Sequence, residues 1–145
     1  MNSYYNNSIN FNGIRYRMSP IDVITNKMAM RSELEDAEET LKNTTFFDVV
    51  IDKEGFKMYS NKYKKTYSLD YKPRRHSSNS LLIRAKDDNS EHNRLSVFRV
   101  DFNNRKEVRD AYNKITHSNG IDKSVYIVQL LEKQAEKLYM KNLLK

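Results

Sequence analysis

Between Leu95 and Ile115 the chain reads LSVFRVDFNNRKEVRDAYNKI, and the period of its apolar residues changes partway along. Ser96, Phe98, Val100 and Phe102 alternate with Leu95, Val97, Arg99 and Asp101. A period of two in aromatic and β-branched residues predicts a strand whose Phe98–Val100–Phe102 face is buried. Val108, Ala111, Tyr112 and Ile115 then fall at i, i+3, i+4 and i+7, which is one apolar stripe of a helix. Asn104 stands where that helix needs its cap, and Glu107 can reach back to it. A strand running straight into a capped amphipathic helix is a packing unit, and the core is expected to form on it. It carries no catalytic signature.

At 145 residues, the chain has the length of one domain. Hydrophobic residues make up 38% and charged residues 31%, which predicts a thin core under a heavily charged surface. The absence of cysteine excludes disulfides, thiolate nucleophiles and cysteine metal sites. No apolar run approaches a membrane span, and the polar start MNSYYNNSINFNG does not read as a signal peptide. The expected setting is cytoplasmic with no membrane partner, so the sequons at Asn6 and Asn43 carry no weight. Abundant Asn, Lys and Tyr with scarce Gly, Pro and Ala suit AT-rich coding, as in phages and mobile elements.

Along the chain, residues 1–18 are Asn-rich and aromatic and read as an N-terminal arm, with an edge strand possible at Ile14–Met18. Residues 19–145 read as a single domain. Ser19-Pro20-Ile21-Asp22 is a helix start. Val23, Met30, Leu34, Ala37 and Leu41 form its stripe, widened by Ile21, Ile24 and Met28. Thr45 to Ile51 alternates as a strand, Asp52-Lys53-Glu54-Gly55 turns, and Phe56–Tyr59 returns. Tyr63 to Tyr71 is a third strand with a tyrosine-rich face. Lys72-Pro73-Arg74-Arg75-His76-Ser77-Ser78-Asn79 reads as a loop, and Leu81 and Ile83 begin a fourth strand. Gly120 suits a helix end, and Asp122 can cap a last helix to Leu144, with Val125, Val128, Leu131, Ala135 and Leu138 inward. Segregated element types predict an α+β fold: an N-terminal helix, an antiparallel sheet of four to five strands and two C-terminal helices.

The net charge of +7 favours polyanions or an acidic protein surface as partner. It is concentrated. Lys53 to Lys86 holds ten Lys/Arg against Glu54 and Asp70, whereas Ser19 to Lys42 holds three against six acids. Two readings follow, and neither requires an enzyme or a cofactor. In the first, a nucleic-acid-binding module uses Lys62, Lys64, Lys65, Tyr67, Lys72, Arg74, Arg75, Arg84 and Lys86. Cations would meet phosphates, Tyr63, Tyr67 and Tyr71 would stack on bases, and Lys133, Lys137, Lys141 and Lys145 would form a second rail. A tyrosine face at period two is equally the description of a core face. In the second, a phage-type inhibitor or adaptor uses Glu35, Asp36, Glu38 and Glu39 to bind a nucleic-acid-handling enzyme such as a host-defence nuclease.

Enzymatic options are few. His76, His92 and His117 are dispersed, Asp87-Asp88 with Glu91 lacks calcium-loop spacing, and Gly13, Gly55 and Gly120 make no phosphate loop. A metal-independent RNase could draw on Lys64, Lys65, Tyr67, Arg74, Arg75 and His76, given a base and an acid on opposite sides of a phosphate.

Overall fold

The computed structural model describes residues 9–11, 13–69, 73–88 and 94–143. Two strands open the chain, β1 (Ile9–Phe11) and β2 (Ile14–Arg17), followed by helices α1 (Pro20–Ala29) and α2 (Arg31–Leu41). Six strands come next: β3 (Phe47–Asp52), β4 (Gly55–Ser60), β5 (Lys65–Ser68), β6 (Arg74–Ser77), β7 (Ser80–Asp87) and β8 (Leu95–Asp101). Helices α3 (Arg105–His117) and α4 (Gly120–Leu143) close it. The class is α+β. The finer expectation needs correcting: the described residues form eight strands, the sheet is mixed because β2 runs parallel to β3, and two helices stand where one was expected.

Local chemistry explains the boundaries that were legible. The Ser19 hydroxyl accepts the N–H of Asp22 at 3.1 Å, with Pro20 at the first helical position. Asn104 accepts the N–H of Glu107 at 2.9 Å, and the Glu107 carboxylate reaches back one residue further than expected, to the N–H of Asn103 at 3.0 Å. Asp52 accepts from the N–H groups of Glu54 and Gly55, and Gly55 takes a φ of 135° in the β3–β4 turn. Gly120, expected as a helix end, begins α4 instead, which puts Asp122, expected as its cap, inside the first turn; α3 ends at His117 with Ser118 as its C-cap.

The N-terminal helix breaks at Met30, whose φ of −127° and ψ of 38° leave the helical region. That break starts a new helix just before Glu33, where the dipole welcomes negative charge. It also turns α1 so that only Val23 among its residues is buried, leaving Ile21, Ile24 and Met28 outside at 76%, 59% and 78% exposure.

The sheet runs β1-β2-β3-β4-β5 and then on to β7 and β8. β5 pairs with the Lys86–Asp87 end of β7 and β6 with its Ser80–Leu82 end, while β8 pairs along the other flank. β5 and β6 are therefore two pieces of one interrupted ribbon. Ile14–Met18 is interior rather than an edge, since β2 lies between β1 and β3. Arg74–Ser77, expected as loop, is strand because β7 offers its backbone a ladder whatever the side chains are.

Helices α2, α3 and α4 cover one face of this sheet, with α1 seated against α2. Ile14, Tyr16, Val49, Met58, Leu81 and Ile83 are fully buried there, against Leu34, Val108, Ile127 and Val128. Each such side chain contributes about 1.5–3 kcal/mol. On the face of β8 expected to be buried only Val100 is fully so; Phe98 and Phe102 are half-buried, and Phe98 meets Tyr67 and Phe47 edge-on at 5.2 and 6.0 Å between ring centres. Contact between β8 and β3 shows how strongly the sheet coils around α4. Two buried polar residues of α4 pin that coil. Glu132 accepts from the N–H groups of Thr45, Phe46 and Phe47, and Gln134 Oε1 accepts the N–H of Asp101 at 3.0 Å.

Candidate nucleic-acid interface

Among the described residues, the opposite face of the sheet carries no helix. Residues directly across an antiparallel ladder share a face, so the register assigns every side chain on it, and the face divides into two halves.

On the β2–β4 half the cations are matched. Arg15 pairs with Asp48 at 2.7 Å, donates to Asn61 at 3.1 Å and lies over the Tyr59 ring at 4.0 Å. Lys57 is buried, with Asp88, Glu54 and Asp52 at 2.6, 2.8 and 3.1 Å from its ammonium. Burial alone would lower the pKa of Lys57; the hydrogen bonds to those three carboxylates outweigh it and hold the group above its ordinary range. The carboxylates of Asp52, Glu54 and Asp88 converge closely enough to hold a metal ion, yet the Lys57 ammonium stands among them as the cation. Arg17 adds a longer contact to Asp88 at 3.9 Å.

On the β6–β8 half the cations are largely unmatched. Arg74, Leu82 and Arg99 form one row across the three strands. Arg84 faces Val97 in the next row, and Lys86 faces Leu95 beyond it. Arg99 binds Asp101 at 2.9 Å. Among the described residues, no carboxylate pairs with Arg74, Arg84 or Lys86. Leu95 and Val97 are 46% and 56% exposed between them, so the surface is a chequer of cations and aliphatic side chains.

Three of the nine residues expected at a nucleic-acid site, Arg74, Arg84 and Lys86, thus share this face. The others do not join them. Tyr67 is buried in the core at 3% exposure, because the period-two tyrosine face is the one the helices cover. Lys65 is on the helix side and pairs with Asp87 at 3.2 Å. Arg75, opposite Leu81, is also on the helix side, 5.2 Å over the Tyr112 ring. Lys62 and Lys64 sit on the exposed turn between β4 and β5, where Lys64 has a φ of 55°. Lys72 and Tyr71 lie outside the described residues, as do Lys145, Glu91, His92, Tyr4 and Tyr5. Lys133, Lys137 and Lys141 are exposed on α4, in the helix layer and not on this face.

Arg99 was missed, although the alternation of Leu95, Val97 and Arg99 already put it opposite the buried face; only the pairing with Leu82 shows that it joins Arg74. The acidic block on α2 is neutralised locally. Arg31 binds Glu35 at 3.0 Å, Lys42 binds Glu39 at 2.8 Å, and Lys27 lies 3.7 Å from Glu38, while Asp36 is exposed. For an RNase, the burial of Tyr67 and the opposite faces of Arg74 and Arg75 disperse the residues that were expected to converge.

No known protein family, curated protein or solved structure matches the chain. Among the described residues no helix is long and apolar enough to cross a membrane.

Proposed function

We propose that this chain is a non-enzymatic nucleic-acid-binding module whose footprint is the open face of β6, β7 and β8. The observation that supports it is the contrast between the two halves of that face: where Arg15 and Lys57 have carboxylates at 2.6–3.1 Å, Arg74, Arg84 and Lys86 have none among the described residues. Guanidinium groups keep their charge and bind phosphate oxygens in a bidentate fork. Arg84 and Lys86 stand two residues apart on one strand, about 6.6 Å, an interval of the order between successive phosphates of an extended single strand. Leu82, Leu95 and Val97 between the cations suit sugars and base edges. The described part of this face offers no stacking platform, so binding rests on phosphate contacts, with steep salt dependence and little sequence preference.

The test is fluorescence anisotropy with a labelled single-stranded oligonucleotide across a salt series. Four cations predict a log–log slope of about −3, from about 0.7 per phosphate contact. Changing Arg84 and Lys86 together to Ala should remove about 1.4 of that slope. Absence of binding at about 50 mM salt, or a slope indifferent to the double variant, would refute the footprint.

A further inference from the structure

The ladder between β7 and β8 fixes which backbone groups are spent. The N–H of Phe102 donates to the carbonyl of Asn79 at 2.7 Å, and that of Asp87 to the carbonyl of Arg94 at 2.9 Å. In that register Ser96, Phe98 and Val100 bond to β7, while Leu95, Val97, Arg99 and Asp101 turn their N–H and C=O groups outward. Gln134 takes the outward N–H of Asp101. For the outward groups of Leu95, Val97 and Arg99, no described residue provides a partner, and such an edge is a template for another strand.

This edge does not face open solvent alone. Beside it runs a groove of about 290 Å³, walled by Phe46, Tyr63, Phe98 and Leu138. The charged residues lining it are Lys62 and Arg99, both cations. Gln134 holds α4 against the end of β8, but from Glu136 to Leu143 every residue of α4 is exposed, so the helix leaves the sheet where the groove opens.

We infer that this groove receives an extended segment of a partner protein, added as a further strand on β8, in which apolar and acidic residues alternate. The alternation follows from the geometry. On an added strand, side chains of one parity enter the groove against Phe98 and Leu138, which selects apolar residues. Those of the other parity lie on the open face beside Arg99, with Arg84 and Lys86 one strand further in, which selects acids. A second copy of β8 is a poorer occupant, because pairing two such edges would join the Arg84–Lys86–Arg99 surfaces into one continuous face of like charge. The segment would share Arg84, Lys86 and Arg99 with the nucleic-acid footprint, but the free edge and the groove beside it are there whether or not nucleic acid binds.

The test uses three labelled synthetic decapeptides and the full chain, read by fluorescence anisotropy. One alternates Glu with Val and Phe, one has the same composition in block order, and one carries Lys in place of Glu. The alternating acidic peptide should bind at least about tenfold more tightly than either control. Val97→Pro removes an outward N–H that β7 does not use, so the fold should survive and peptide affinity should fall about tenfold or more. Leu138→Glu, on an exposed helix position, should do the same and carries the test should the proline variant fail to fold. Equal binding of the three peptides, or folded variants with unchanged affinity, would overturn the inference. So would a concentration-dependent dimer in sedimentation equilibrium that Val97→Pro abolishes, since a second copy would then own the edge.

Discussion

Glu132 Oε1 accepts the backbone N–H of Phe46 at 2.9 Å, across 86 residues of chain. The same carboxylate takes the N–H groups of Phe47 and Thr45, both at 3.0 Å, and is almost wholly buried. No cation pairs with it among the described residues; three aligned backbone donors stabilise the charge instead. Two residues further along α4, Gln134 holds Asp101, so one helix turn fastens the entry to β3 and the last residue of β8.

Glu132→Ala should therefore cost more than an ordinary surface change. It strands the N–H groups of Phe46 and Phe47 beside the core, each worth about 1–3 kcal/mol when left unsatisfied, while exposed Thr45 can turn to water. A loss of about 3 kcal/mol or more in urea unfolding is expected, with Glu132→Gln milder because one oxygen remains to accept.

Arg74 and Arg75 separate the interface from its surroundings. Neighbouring in sequence, they project from opposite faces of β6, one onto the open face and one over Tyr112. Arg74→Ala should lower the salt slope of nucleic-acid binding by about 0.7–0.9, and Arg75→Ala should leave it unchanged. Equal effects would mean that the polymer does not follow the open face.

Lys57→Met leaves Asp52, Glu54 and Asp88 facing one another without their shared cation. Lys57 is the buried member, whereas Asp52 and Asp88 are half-buried and Glu54 is exposed, so the loss should fall below the about 3–5 kcal/mol of a fully buried pair. Thermal melts of the variant beside the parent chain check it: an unchanged midpoint would contradict it.

Tyr16 supplies an alkaline limb. Burial in the core, with Glu38 adding to it, pushes its pKa up to about 12. The folded value lies above the unfolded one, near 10, so the stability linked to its neutral form is complete below about pH 10 and lost as pH rises towards 12. The loss is on the order of 2–3 kcal/mol, and Tyr16→Phe should flatten that part of the profile in denaturation measured against pH.

Changing Glu35, Asp36, Glu38 and Glu39 together to Gln distinguishes the two partner classes. Their pairs with Arg31, Lys27 and Lys42 are surface contacts of about 0–1 kcal/mol each, so the fold should persist. Oligonucleotide affinity should hold or rise as negative charge is removed. A fall would overturn the open-face footprint, because α2 would then be holding that surface in shape; the inhibitor reading instead predicts weaker binding to the basic groove of a protein partner.

The parts of this protein legible in its sequence are those whose causes are local. The buried parity of β8, the Asn104 cap, the Ser19-Pro20 start and the Asp52–Gly55 turn each depend on residues within one or two turns of one another. The tertiary structure decided what depends on a distant partner. Residues 14–17 become an interior strand only because β3 lies alongside, and Arg74–Ser77 is strand because β7 satisfies its backbone. Tyr67 turns inward because α-helices cover that side of the sheet, which period two alone leaves undecided. The same holds for charge. Ten cations between Lys53 and Lys86 read as one basic run along the chain. Pairing between strands divides the described members of that run between two faces, a turn and an acid cluster around the buried Lys57, because side-chain parity is set by register and register by the neighbouring strand.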